Sequence, residues 1–135
     1  MRTPGEGLDD LPPHFQRERA VLREAGICGW EGLAGQSPER LRALARPGGA
    51  SEARLLRLRA QARLMTATGL TPKEASLLLH AGIVEARALA TADPQRLLVQ
   101  VNRLGRQLLG PNATPVSLAT VRGWIRAAAT SRSAN

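Results

Sequence analysis

The chain has 135 residues and 14.4 kDa, with 19 Lys and Arg against 11 Asp and Glu, a net charge of +8 and a pI near 11.6, which sets one domain or two very small ones. No run approaches the ~18–20 apolar residues that span a bilayer, and no apolar core followed by a small-residue cleavage site opens the chain, so a cytoplasmic protein is expected. The single cysteine, Cys28, closes no internal disulfide and has no Cys or His neighbours at ligand spacing, which excludes a redox staple and a structural zinc.

Residues 1–11 are rich in Gly, Pro and acid and read as a disordered tail, as do 130–135 at the other end. Between them Leu, Ala and Arg dominate and apolar residues recur at three and four, which predicts an all-α chain. Eight helices are expected, at 14–25, 30–35, 38–46, 51–67, 72–81, 85–91, 94–109 and 117–129. Their ends are marked by local chemistry. Ala25-Gly26-Ile27 and Ala81-Gly82-Ile83 read as stops with a left-handed glycine just past the last turn. Ser37-Pro38, Ser51 and Asp93-Pro94 read as starts. Thr71-Pro72-Lys73-Glu74 has a hydroxyl at the cap, Pro at the first helical position and Glu at the third, the pattern of a capping box.

An internal repeat organises these elements. A shift of 56 residues lays Leu22 on Leu78, Ala25-Gly26-Ile27 on Ala81-Gly82-Ile83, Leu33-Ala34 on Leu89-Ala90, Pro38 on Pro94 and Arg40-Leu41 on Arg96-Leu97. Further on the shift grows to 66, and Ser51, Ala53, Leu55 and Leu58 meet Ser117, Ala119, Val121 and Trp124. Two four-helix units are therefore expected, 12–67 and 68–129, the second with a longer third helix and a longer loop over 110–115. Each is marginal alone at on the order of 50 residues, so the two are expected to pack as one compact domain. The expected core is Leu22, Ile27, Trp30, Leu33, Leu41, Leu44, Leu55, Leu58 and Met65, with Leu78, Ile83, Leu89, Leu97, Val121, Trp124 and Ile125 in the second unit.

The stretch Gly69-Leu70-Thr71-Pro72-Lys73-Glu74-Ala75 through Leu78-Leu79 to Ala81-Gly82-Ile83, followed by Leu89-Ala90 and Asp93-Pro94, resembles helix-hairpin-helix domains. With Ala62-Arg63-Leu64-Met65 leading into it and Arg122-Gly123-Trp124-Ile125 near the end, the whole of 12–129 is similar to an uncharacterised bacterial family of tandem helix-hairpin-helix proteins known only as a domain of unknown function. The resemblance implies a SAM-like helical fold and, from helix-hairpin-helix domains at large, DNA binding without sequence preference. In such hairpins a glycine turn leaves backbone amides pointing outward at a helix start, where they and the helix dipole hold a phosphate oxygen. Two hairpins qualify. Pro47-Gly48-Gly49-Ala50-Ser51 precedes a helix carrying Arg54, Arg57, Arg59 and Arg63, and Thr68-Gly69-Leu70-Thr71 precedes Lys73. Gly48, Gly49, Ser51, Arg54, Arg57, Gly69, Thr71 and Lys73 are thus the candidate nucleic-acid contacts, although Gly48 and Gly49 also suit a plain turn after Pro47. The sequence departs from the family pattern where Thr71 replaces the second hairpin glycine and where the aligned Pro12-Pro13-His14-Phe15 has none, so at least one hairpin is expected to be inactive.

The charge supports a polyanionic partner. Eighteen of the 19 basic residues are Arg and only Lys73 is Lys; a GC-rich genome would give the same bias, so the excess of positive charge is the stronger argument. The Arg54–Arg63 run forms an amphipathic helix, with Leu55, Leu58, Ala62 and Met65 on one stripe. Trp30 and Trp124 sit at core spacing rather than as base-stacking platforms. Cys28 reads as a buried or half-exposed inert thiol, and His80 as a surface residue favoured by a helix C-terminus. Ser-His-Asp order, HExxH, a GxxxxGK phosphate loop, a dinucleotide fingerprint and a magnesium-holding acidic cluster are all missing, and Asp9-Asp10 is a lone acidic pair. The expected protein is a non-catalytic module with no cofactor, metal, membrane or small-molecule substrate, binding nucleic acid, DNA rather than RNA, through backbone phosphates. The alternative is a protein-interaction adaptor whose arginines meet an acidic protein partner.

Overall fold

The computed structural model describes residues 15–134, with side chains through Thr130. The tail expected over 1–11, Pro12-Pro13-His14 and Asn135 lie outside the described residues. Among those described, the protein is all-helical with no β-strand: α1 (Gln16–Glu24), α2 (Trp30–Ala34), α3 (Pro38–Leu44), α4 (Glu52–Thr68), α5 (Pro72–His80), α6 (Ala86–Ala90), α7 (Pro94–Leu109) and α8 (Leu118–Ala134). Seven fall within two residues of the expected bounds. The helical backbone of α8 continues to Ala134, five residues past the expected end at Ala129 and into the stretch read as a tail. Its Ala127-Ala128-Ala129 run has high helix propensity, and no Gly or Pro follows to stop it.

Local chemistry sets the ends. Ile27 N–H donates to Leu22 O (2.8 Å) and Gly26 N–H to Arg23 O (3.0 Å). Ile83 N–H donates to Leu78 O (2.9 Å) and Gly82 N–H to Leu79 O (3.0 Å). This paired 6→1 and 5→2 pattern satisfies the last carbonyls of α1 and α5 and requires a left-handed residue, met by Gly26 (φ +83) and Gly82 (φ +90). At the starts, the hydroxyls of Ser37, Ser51 and Ser117 accept from the amides of Arg40 (3.1 Å), Arg54 (3.4 Å) and Thr120 (3.1 Å), while Asp93 accepts from Gln95 N–H (3.1 Å). The Thr71–Glu74 capping box is complete.

The chain divides between Arg63 and Leu64, within α4, into two compact units. In the first, Leu22, Ile27, Trp30, Leu33, Leu41, Leu55 and Leu58 are buried as expected. Leu44 is half-buried, because α3 ends there and the chain turns away at Ala45. In the second unit α8 packs on α6 and α7, and α5 packs on α7. Leu78, Ile83, Leu89, Leu97, Val121 and Trp124 are buried there, with Val101 and Ala75 added, while Met65 and Ile125 are half-buried. Two amide side chains tie this unit together: Gln100 Nε2 donates to Ala81 O at the end of α5 (3.2 Å), and Asn102 holds both the N–H (2.9 Å) and the C=O (3.3 Å) of Val116 before α8.

The stripe expected on α4 is broader than one face. Leu55, Leu58 and Ala62 are buried, and so are Gln61 and Leu64, so buried positions spread around the helix and the arginines interleave with them, Arg54 and Arg63 exposed and Arg57 and Arg59 half-buried. Cys28 is exposed rather than buried: Ile27 folds back onto α1 and takes the inward position, which turns the next residue out.

Candidate nucleic-acid interface

The first hairpin is a closed turn. Gly48 adopts φ +73, Arg46 N–H donates to Ala50 O (3.0 Å) and Gly49 N–H donates back to Arg46 O (3.0 Å). The Gly49 amide thus points into the turn. The next amide, Ser51 N–H, donates to Glu18 Oε2 at 2.8 Å. Glu18 lies on α1, is 1% exposed, and delivers a carboxylate to the start of α4, where the helix dipole favours an anion. Two of the amides on which a phosphate would rest are therefore engaged within the chain.

The arginines that follow are also partly committed. Arg59 Nε donates to Gln36 O (2.6 Å), closing the segment after α2. Partial desolvation, with neighbouring Arg63 adding to it, holds its guanidinium below the usual arginine value. Arg54, Arg57 and Arg63 each take part in interactions of their own. Arg42 pairs with Glu52 in the first turn of α4 (2.8 Å), a surface ion pair worth at most about 1 kcal/mol.

At the second hairpin Gly69 adopts φ +75, and its N–H caps α4 through Met65 O (2.8 Å). Thr71 N–H donates to Glu74 Oε1 (2.9 Å), while Glu74 N–H donates to Thr71 Oγ1 (3.2 Å). Pro72 has no N–H, so the first turn of α5 offers a phosphate little beyond the exposed Lys73. Both hairpins share one arrangement: a carboxylate of the chain sits on the amide just before the helix.

The sequence reading missed a different group of basic residues. From Pro94 to Thr130 the chain holds Arg96, Arg103, Arg106, Arg122 and Arg126 and no Asp or Glu at all. All five are exposed. Among the described residues none of the five has an ion-pair partner. Arg103 and Arg106 share a face of α7, and Arg122 and Arg126 a face of α8. The signal, a carboxylate-free run, was present in the sequence. No group of three or more His, Cys, Asp or Glu among the described residues is placed to hold a metal ion, and no helix there is long and apolar enough to cross a membrane.

The sequence pattern of the domain of unknown function DUF4332 matches residues 12–131. The chain belongs to this family. No curated protein and no solved structure matches it. In this DUF4332 chain the matched region takes in both compact units, so the caps, the two occupied hairpins and the arginines of α7 and α8 all lie within the family domain.

Proposed function

We propose that the protein is a non-catalytic module that binds nucleic acid, DNA before RNA, through backbone phosphates without reading bases. The helix-hairpin-helix resemblance suggests the partner, and the observation that carries the reading is the set of five exposed arginines on the carboxylate-free α7–α8 stretch, none with an ion-pair partner among the described residues. Unpaired guanidiniums release counterions from phosphates and position the chain on a backbone without sequence readout. The contacts are assigned to these side chains rather than to hairpin amides, because Glu18 and Glu74 already accept from Ser51 and Thr71. That same occupancy favours the second reading, an adaptor for an acidic protein with no nucleic-acid role.

Fluorescence anisotropy of labelled duplex and single-stranded oligonucleotides against salt tests it. Micromolar binding whose log affinity falls linearly with log salt, at roughly −0.9 per phosphate contacted on duplex DNA, is the expected result. Reversing Arg103 and Arg122 to Glu removes most of that affinity, whereas Arg54→Glu with Arg57→Glu removes less. The opposite ranking returns the site to the first hairpin, and no binding at low salt moves the protein to the adaptor reading.

A further inference from the structure

Gly105 lies inside α7, where alanine would favour the helix by about 1 kcal/mol. It is buried, yet a Cβ added to it meets nothing within 4 Å. Packing therefore does not require a glycine here. The open space it leaves belongs to a cleft of about 430 Å³ in the second unit, walled by α5, α7 and the loop before α8. Leu77, Val101 and Leu109 give it aliphatic walls, and the exposed Lys73 and Arg106 stand at its lip. Its one carboxylate, Glu74, is held by Thr71 N–H in the capping box and stands against the two cations, so the lining carries a net positive charge.

We propose that this cleft docks an acidic, aliphatic peptide segment of a partner protein, with its carboxylates on Lys73 and Arg106 and an aliphatic side chain over Gly105. Charge complementarity selects an anion, and the aliphatic walls select an apolar body beside it. Apolar surface also adjoins the cleft, since Leu109 of its wall and the neighbouring Leu108 are about half exposed at 51% and 49%, which suits a chain segment longer than a small molecule. A nucleic acid fits less well, because no aromatic ring lines the cleft to stack a base. The inference deepens the adaptor reading and shares Arg106 with the nucleic-acid reading, so Gly105→Leu, which alters no arginine, is the variant that separates the two.

Selection of a random 12-residue peptide display library on the immobilised full chain, followed by anisotropy with the enriched peptide, tests it. The expected consensus pairs Asp or Glu with Leu, Ile or Val. Gly105→Leu, which fills the cleft, and Lys73→Glu with Arg106→Glu, which leaves the core untouched, each weaken the selected peptide by about tenfold or more, while Gly105→Ala retains most of the binding. Circular dichroism melts establish that each variant is folded, and the charge pair keeps the test decisive if Gly105→Leu is not. Gly105→Leu leaves duplex DNA binding unchanged. No enrichment, a basic or aromatic consensus, or a peptide indifferent to both variants overturns the proposal. Loss of DNA affinity in folded Gly105→Leu also overturns it and assigns the cleft to nucleic acid.

Discussion

Truncating Glu18 to Ala removes the acceptor for Ser51 N–H and the anion at the start of α4 in a single change. A hydrogen bond to a charged group is worth about 1.5–3 kcal/mol, and the helix dipole adds roughly 0.3–1. Against this stands the desolvation of a carboxylate whose second oxygen, Oε1, is buried and has no partner among the described residues. The net loss expected for Glu18→Ala is therefore about 2–3 kcal/mol. Glu18→Gln keeps an acceptor for Ser51 and sheds the buried charge, so it loses less than half as much. Urea unfolding followed by tryptophan fluorescence reads both. Trp30 lies in the first unit and Trp124 in the second, so a Trp124→Phe background reports on the unit that contains Glu18. A lower midpoint at unchanged slope is the expected signature. If Glu18→Ala is as stable as the parent within about 0.5 kcal/mol, the carboxylate is not supporting α4 and the account of the first hairpin fails.

Other substitutions separate the remaining contributions. Gly26→Ala and Gly82→Ala each destabilise by about 1–2 kcal/mol through backbone strain alone, since an added Cβ meets nothing at either position; thermal melts check this. Thr71→Ala opens the capping box and costs about 1 kcal/mol, visible in the same melts. Asn102→Ala frees both bonds to Val116 and loses about 1–2 kcal/mol, and hydrogen exchange shows faster opening of the loop before α8. Gly105→Ala does the reverse, raising stability by about 0.5–1 kcal/mol.

What the sequence made legible was local. The stops at Gly26 and Gly82 and the starts at Ser37, Thr71 and Asp93 are built from contacts spanning two to five residues, so their chemistry stands in the order of letters. Glu18 is different: on α1 it sits among Gln16, Arg17 and Arg19 and reads as a solvent-facing charge, and its partner Ser51 lies 33 positions away. One hint existed, since the 56-residue shift that aligns the two glycine stops also places Glu18 on Glu74, both carboxylates at helix starts. Position alone groups Arg59 with the hairpin charges, and charge does not reveal a bond to Gln36 O. The bonds of Asn102 to the Val116 backbone were illegible for the same reason of distance. The open face at Gly105 needs neighbouring elements in place before it can be seen.

The carboxylates of Glu18 and Glu74 bear on how a salt titration should be interpreted. A group tethered in place and aligned with an amide competes at an effective concentration that no dissolved anion reaches. Chloride, free phosphate and a DNA backbone are thus all turned away from Ser51 and Thr71 alike. On the proposed nucleic-acid reading, the slope of affinity against salt then counts no contact at these two amides, and each charge reversal on α7 or α8 lowers it by about one contact.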